Sequence, residues 1–359
     1  MKEIIAQTKH QLLHYPELSG KDKIKRNIKY MLGRCGKVDR YFWSHGLLTQ
    51  GLEEAYQVTN DKAILDTLLA YYDSWIEKGM TLTSVEHVIN GYTLIAIYEK
   101  TGHEKYKRAA DKIYEFVKNH SKDADGCLPY NQKHQNLMFI DTIGMIAPFL
   151  CRYGKVFGCK EATTVGINQI LVYLEKGMDS NSGLPYHGYQ SDTGMKQGMI
   201  GWGRAVGWLL WGMVDSLEYI DSTVEGYDRL RKGYEELAVN TIAYQMDDGY
   251  FAWQVQAVDG HIDTSATGMI GYAVGKGLEI GLFESQHDIM NEVVRKSKVA
   301  MIEATKNGKV MESSAECIDF AQYPQIYGNY PWAQGTGLRL AILKPVEVQK
   351  HVNTKKQTL

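Results

Sequence analysis

GLLTQGLEEAYQVTNDKAILDTLLAYYDSWIEKG, running from Gly46 to Gly79, reads as two amphipathic helices joined by a short polar turn at Thr59-Asn60-Asp61. The same pattern returns in VINGYTLIAIYEKTGHEKYKRAADKIYEFVKNH (Val88 to His120), with its turn at Lys100-Thr101-Gly102. A third copy is DTIGMIAPFLCRYGKVFGCKEATTVGINQILVYLEKG (Asp141 to Gly177); a fourth begins at Trp202, a fifth near Ser265 and a sixth near Ala333, in AQGTGLRLAIL. In each complete copy the first helix is apolar and rich in small residues, and the second carries the Lys and Glu. That asymmetry predicts an inner ring of close-packed helices inside a solvated outer ring, the sixth helix closing against the N-terminal one.

The starts at 46, 88, 141, 202, 265 and 333 are separated by steps that grow from 42 to 68 residues. An open solenoid keeps a constant period, so growing steps point to a closed (α/α)6 barrel, an all-α toroid whose connections on one face build a site. Those connections share a form. KDADGCLPYNQ (Lys122 to Gln132), DSNSGLPYHGY (Asp179 to Tyr189) and MDDGYFAWQV (Met246 to Val255) each run from a polar turn through Gly into a short aromatic segment. Small β-strands or hairpins are expected there, on the face where the next inner helices begin. Nothing resembling a linker interrupts the pattern, and residues 1–359 read as one domain.

Composition narrows the function. A net charge of −2 with no basic run argues against nucleic acid as a partner. No stretch approaches the length of a membrane span, and MKEIIAQTKHQLLHYPELSG lacks the apolar core of a secretion signal. The five cysteines, Cys35, Cys127, Cys151, Cys159 and Cys317, are scattered without zinc-like spacing, as expected of reduced thiols in the cytoplasm. Tyr (24) and Trp (7) together far outnumber Phe (8). Their flat apolar faces and polar edges suit stacking on sugar rings, or equally the helix-packing layers.

Asp141 is the only charge in the 14-residue apolar stretch LMFIDTIGMIAPFL, placed where an inner helix begins. It either caps that helix in ionised form or faces a cavity where desolvation raises its pKa for use as a general acid, and the two roles pull the pKa in opposite directions. Arg204 in GWGRAVGWLLWGM lies among Trp202, Trp208 and Trp211 with no acidic neighbour in sequence. It calls for a carboxylate supplied either by another helix or by a ligand. His45, His134 and His187 fall at or near the loop face, as structural histidines or as contacts to a ligand. Glu86-His87 is adjacent rather than helically spaced, so no metal site is expected, and no nucleotide-binding or α/β-hydrolase motif is present.

WSHG (Trp43 to Gly46), FIDTIGM (Phe139 to Met145), GLPYHGY (Gly183 to Tyr189), WGRAVGW (Trp202 to Trp208), DTSATGMIGYAVGKG (Asp263 to Gly277) and YPWAQGTG (Tyr330 to Gly337) resemble, in order and spacing, glycoside hydrolase family 105. Its members are unsaturated rhamnogalacturonyl hydrolases, related to the unsaturated glucuronyl hydrolases of family 88. The resemblance implies an (α/α)6 barrel that hydrates the C4=C5 double bond of a terminal unsaturated uronate in pectin-type oligosaccharides, without cofactor. Asp141 matches the aspartate that protonates C4 and then activates water for C5. Glu86 stands where the family has a second aspartate, in SVEHVING where a D-A-x-x-x-G pattern is usual, and is the second expected catalytic residue. The expected substrate-binding residues are Trp43, His45, His134, Met145, His187, Trp202, Arg204, Trp208 and Trp332, with Arg204 on the substrate carboxylate or behind the water site, His187 on a sugar hydroxyl, and Trp43 and Trp208 stacked on the rings. Two other readings remain open: another (α/α)6 sugar enzyme, such as an epimerase or an inverting glycosidase, and a non-catalytic helical-repeat binding protein. The chain is expected to act as a monomer or homodimer.

Overall fold

The computed structural model describes residues 1–16, 20–31, 39–130, 135–318, 320 and 322–344. His134 and Cys35 lie outside this set. Six helices form the inner ring: α3 (Trp43–Thr59), α5 (Asn90–Thr101), α7 (Asp141–Phe157), α9 (Gly203–Leu217), α11 (Thr264–Glu279) and α13 (Pro331–Ile342). Each packs on the next, and α13 packs on α3, so the ring is closed. Around it lie α4 (Lys62–Glu77), α6 (Glu104–Asn119), α8 (Lys160–Lys176), α10 (Tyr227–Ile242) and α12 (His287–Glu303), each against the inner helix that precedes it. The outer place beside α13 is taken by α1 (Lys2–His14), which also touches α3. The last copy therefore closes in two layers: α13 meets α3 in the inner ring, and the N-terminal helix covers the seam. A further helix, α2 (Gly20–Met31), follows α1.

The six starts read from sequence fall within three residues of those observed, because the local signals are strong. At the first turn Asn60 adopts the left-handed conformation (φ 53°) that ends α3, and Asp61 caps α4 by accepting from the Ala63 N–H at 2.9 Å. Small residues let the inner helices approach closely. A Cβ added to Gly335 of α13 would lie 2.3 Å from the Leu47 carbonyl oxygen of α3, and one on Gly144 of α7 would lie 2.4 Å from the Trp208 ring of α9.

Aromatic rings fill the ring's interior. Trp332 and Trp43 (centroids 5.0 Å apart) lead to Trp208 (6.0 Å from Trp43), then Trp211 (6.5 Å) and Tyr272 (4.8 Å). Beyond Tyr272 stands a buried ionic cluster. Arg339 bonds Asp215, Glu54 and Tyr272, while Arg152 bonds Glu53 and Glu99. Such pairs add little net stability but are costly to break singly.

The loops differ from expectation in how their strands pair. β1 (Leu137–Phe139), β2 (Gly188–Gln190) and β3 (Lys196–Gln197) form one antiparallel sheet, with Met138 opposite Tyr189. The expected segment 179–189 thus contributes only its end, and pairs with residues just before α7 rather than within itself. Among the described residues, 122–130 contains no strand and 246–255 only the isolated bridges Trp202–Gln254 and Ala252–Ile262. The long connection from α12 to α13 carries two unanticipated hairpins: β4 (Thr305–Lys306) with β5 (Lys309–Val310), and β6 (Ser313–Ser314) with β7 (Tyr327–Gly328).

Candidate active site

Asp141 is the first residue of α7, but it does not cap that helix: Ile140 occupies the N-cap position and makes no side-chain capping bond. The carboxylate instead meets His187, whose Nε2 lies 2.9 Å from Asp141 Oδ2. Chain pairing sets this contact, because the Ile140 N–H donates to the His187 carbonyl at 3.0 Å where β1 meets β2. His187 is wholly buried among Phe139, Trp202, Phe320 and Tyr323, while the Asp141 side chain keeps 14% exposure. Its second nitrogen, Nδ1, lies 2.8 Å from the Tyr323 hydroxyl, which also accepts from the Met199 N–H. With Asp141 ionised, Nε2–H donates to Oδ2 and fixes the carboxylate's orientation, leaving Oδ1 toward the cavity for chemistry.

That cavity is lined by Asp141, Glu86, Trp43, Tyr130, Phe139, Met145, Trp202, Arg204, Glu316, Cys317 and Ile318. Glu86 lies in a short 3-10 turn before α5; it accepts from Ser84 Oγ at 3.1 Å and from the Tyr130 hydroxyl at 3.2 Å. Burial pushes its carboxyl above the ordinary glutamate range, and the charge of nearby Glu316 adds to the rise, while the hydrogen bonds from Ser84 and Tyr130 oppose it. Burial likewise pushes the Cys317 thiol up to about 12, with Asp141 reinforcing the effect, so the sulfur faces the pocket as a neutral thiol.

Arg204 sits in the first turn of α9, 1% exposed, with its guanidinium 4.5 Å from the Trp202 ring and 5.3 Å from the Trp332 ring. Nη1 donates to Ser314 Oγ (2.9 Å), the Ser314 carbonyl (3.2 Å) and Ser265 Oγ (3.3 Å); Nη2 donates to the Ala315 carbonyl (2.9 Å). Among the described residues no carboxylate lies within ion-pair distance of it. Among the described residues the Nε–H and one of the two Nη2–H groups have no partner and are left for a ligand on this pocket-lining residue.

Of the residues singled out from sequence, the fold gathers Asp141, Glu86, Trp43, Met145, Trp202 and Arg204 around one pocket. Trp332 lies one layer deeper, 2% exposed, its Nε1–H donating to the Ser314 carbonyl at 2.9 Å. His187 stands behind Asp141, with no surface for the sugar hydroxyl expected of it. Trp208 is also fully buried, between Trp43, Trp211 and Gly144, because α7 and α9 cross there; it packs the ring's interior instead of stacking on a sugar. His45 is 1% exposed beside Tyr15 and Tyr71, away from the pocket lining, and burial lowers its pKa to about 4. The sequence reading missed Tyr130, Glu316, Cys317, Ile318 and Tyr323. Tyr130 closes one of the repeated aromatic segments and so carried a positional signal. The others come from the α12–α13 connection, where no periodicity or motif marks them.

The model of Glycosyl Hydrolase Family 88 matches residues 19–349. The unsaturated rhamnogalacturonyl hydrolase YesR of Bacillus subtilis is 24% identical over 327 residues, covering 88% of this chain and 93% of that protein. A structure of a possible member of the GH105 family from Salmonella enterica superposes with a TM-score of 0.81 at 20% identity, covering 95% of this chain and 92% of that one. The unsaturated glucuronyl hydrolase of Bacillus sp. GL1 gives 0.73 at 15% identity, covering 94% of each chain. The family match runs from α2 through α13 and takes in every pocket-lining residue, and on that ground the chain belongs to glycosyl hydrolase family 88 and is a glycoside hydrolase.

Proposed function

We propose that this glycoside hydrolase removes a terminal 4,5-unsaturated uronyl residue from a short pectin-type oligosaccharide by hydrating its double bond. The observation that carries the reading is the pairing, in one small pocket, of the partly exposed Asp141 with an arginine that has an unoccupied donor edge. Arg204 would hold the uronate carboxylate bidentately, and that carboxylate is attached to C5. The protonated Asp141 would give its proton to C4, and the cation developing at C5 is stabilised by the ring oxygen. Asp141, now ionised, takes a proton from water as the water oxygen bonds to C5. The product is a C5 hemiketal. Its C5–O5 bond opens to a ketone, O5 gains a proton, and the hemiacetal at C1 expels the aglycone alcohol; the net change is addition of one water.

Glu86, held by Ser84 and Tyr130, would bond a ring hydroxyl or the attacking water, and Trp43 and Trp202 would cover the sugar face. Similarity to YesR supports a rhamnose-linked substrate. The four cysteines among the described residues are free, Cys317 at the pocket among them, which supports a reducing, cytoplasmic setting. The test follows enol-ether absorbance with unsaturated disaccharides made by a rhamnogalacturonan lyase. Loss of absorbance with the native chain and none with Asp141→Asn supports the proposal; no loss on any unsaturated uronide sinks it.

A further inference from the structure

Among the described residues, every contact that holds Arg204 is to a neutral group: two indole faces, two serine hydroxyls and two carbonyls. Its counter-charge lies one step back. Asp263, fully buried, is the N-cap of α11 and accepts from the Ser265 N–H (2.8 Å), Ser265 Oγ (2.6 Å), the Ser314 N–H (3.2 Å) and Ser314 Oγ (2.6 Å). Each hydroxyl donates to the aspartate and accepts from the arginine, so the two charges are joined through a single layer of oxygen atoms.

This separation has a chemical consequence. A carboxylate in direct contact would occupy part of the guanidinium's donor fork and compete with an incoming anion. With serines between them, Arg204 is oriented as firmly as in an ion pair, yet the edge carrying the Nε–H stays open. The indole rings fix the plane of the guanidinium, and the serines and the Ala315 carbonyl fix its rotation within that plane. The same aspartate ties α9, α11 and β6 together, and β6 runs on directly to Glu316, Cys317 and Ile318 of the pocket.

We propose that Asp263, acting through Ser265 and Ser314, is a positioning residue that gives this pocket its preference for a free carboxylate over the corresponding ester. The proposal rests on the reading of the pocket as a uronyl site. Its test is calorimetric titration of the full chain with galacturonate and with galacturonate methyl ester, alongside kinetics on an unsaturated disaccharide. The native chain should prefer the acid. Asp263→Asn should cut that preference by about tenfold or more, the size expected for losing a charge-assisted hydrogen bond. In turnover the loss should fall mainly on KM, with kcat changed far less. Ser314→Ala should act in the same direction and Ser314→Thr, which keeps the hydroxyl, should restore the preference; this pair decides the matter if Asp263→Asn does not fold.

An unchanged acid-to-ester ratio in the folded variants, or no preference in the native chain, would overturn the proposal. So would a ratio that widens in Asp263→Asn, since that would make Asp263 a competitor of the ligand. Preferential binding of the acid without consumption of any unsaturated uronide would leave the Asp263 proposal standing and remove the hydrolysis reading instead.

Discussion

Asp141 shows how little of a candidate acid's role lies in its own position. A carboxylate at the start of a helix is ordinarily a cap, and here Ile140 takes that place while His187 takes the carboxylate. His187→Ala should therefore lower kcat by about 10²-fold or more, the range of general acid–base contributions, with KM changed little; initial rates on an unsaturated disaccharide would show it. A comparable rise in KM would instead mean that the histidine binds sugar. Glu86 gives a second prediction. Glu86→Gln, whose amide can still pair with the Ser84 and Tyr130 hydroxyls, should keep activity within about tenfold. Glu86→Ala, which strands the Tyr130 and Ser84 hydroxyls, should lose about 1–3 kcal/mol of transition-state binding, measured as kcat/KM.

The elements divide into those that local sequence specifies and those that it does not. Inner and outer helices were legible because periodicity, caps and small-residue stripes agree along each one. The crossing at Gly335 makes this testable: its Cβ would meet the backbone of Leu47, which cannot rotate away. Gly335→Ala should cost about 3 kcal/mol by denaturant unfolding, the upper end for overpacking a tight contact; a change below about 0.5 kcal/mol would show that the helices can separate there. The short strands were only partly legible, since β1 and β2 are three residues each and exist through pairing across two connections. The α12–α13 connection was not legible at all as a source of pocket residues. Its place over the site depends on the Asp263–Ser314–Arg204 contacts, which join residues up to 110 positions apart.

At the scale of the whole molecule, the toroid separates a chemical end from an ionic one. At the latter, Glu53 is buried with Oε2 lacking a hydrogen-bond partner among the described residues, and burial pushes its pKa up to about 7, against the lowering by Arg152. The native state thus holds this proton to higher pH than the unfolded chain does. The group's contribution to stability is present below about 4.5 and is lost as pH rises through about 7. Glu53→Gln should gain stability relative to the native chain across that window, by on the order of 1–3 kcal/mol, read as a pH-dependent difference in unfolding midpoint. The comparison has to be between variants, because His45, held neutral by burial, contributes a slope of opposite sign in the native protein. A difference independent of pH would mean that Glu53 stays ionised beside Arg152.

The sequence by itself determined the six helical pairs, the closed ring and the face on which the inner helices begin, because each is written in hydrophobic period and turn chemistry over a few dozen residues. It also marked Asp141 and Arg204 as charges out of place in apolar surroundings. Tertiary structure alone decided what those charges do. It turned Asp141 from a cap into a group held by His187, gave Arg204 a counter-ion at one remove, and sent Trp208 and His45 into the packing. The reason is physical: a helix needs only near neighbours to form, whereas the partner of a buried charge is set by whichever distant segments the closed ring brings within hydrogen-bond reach.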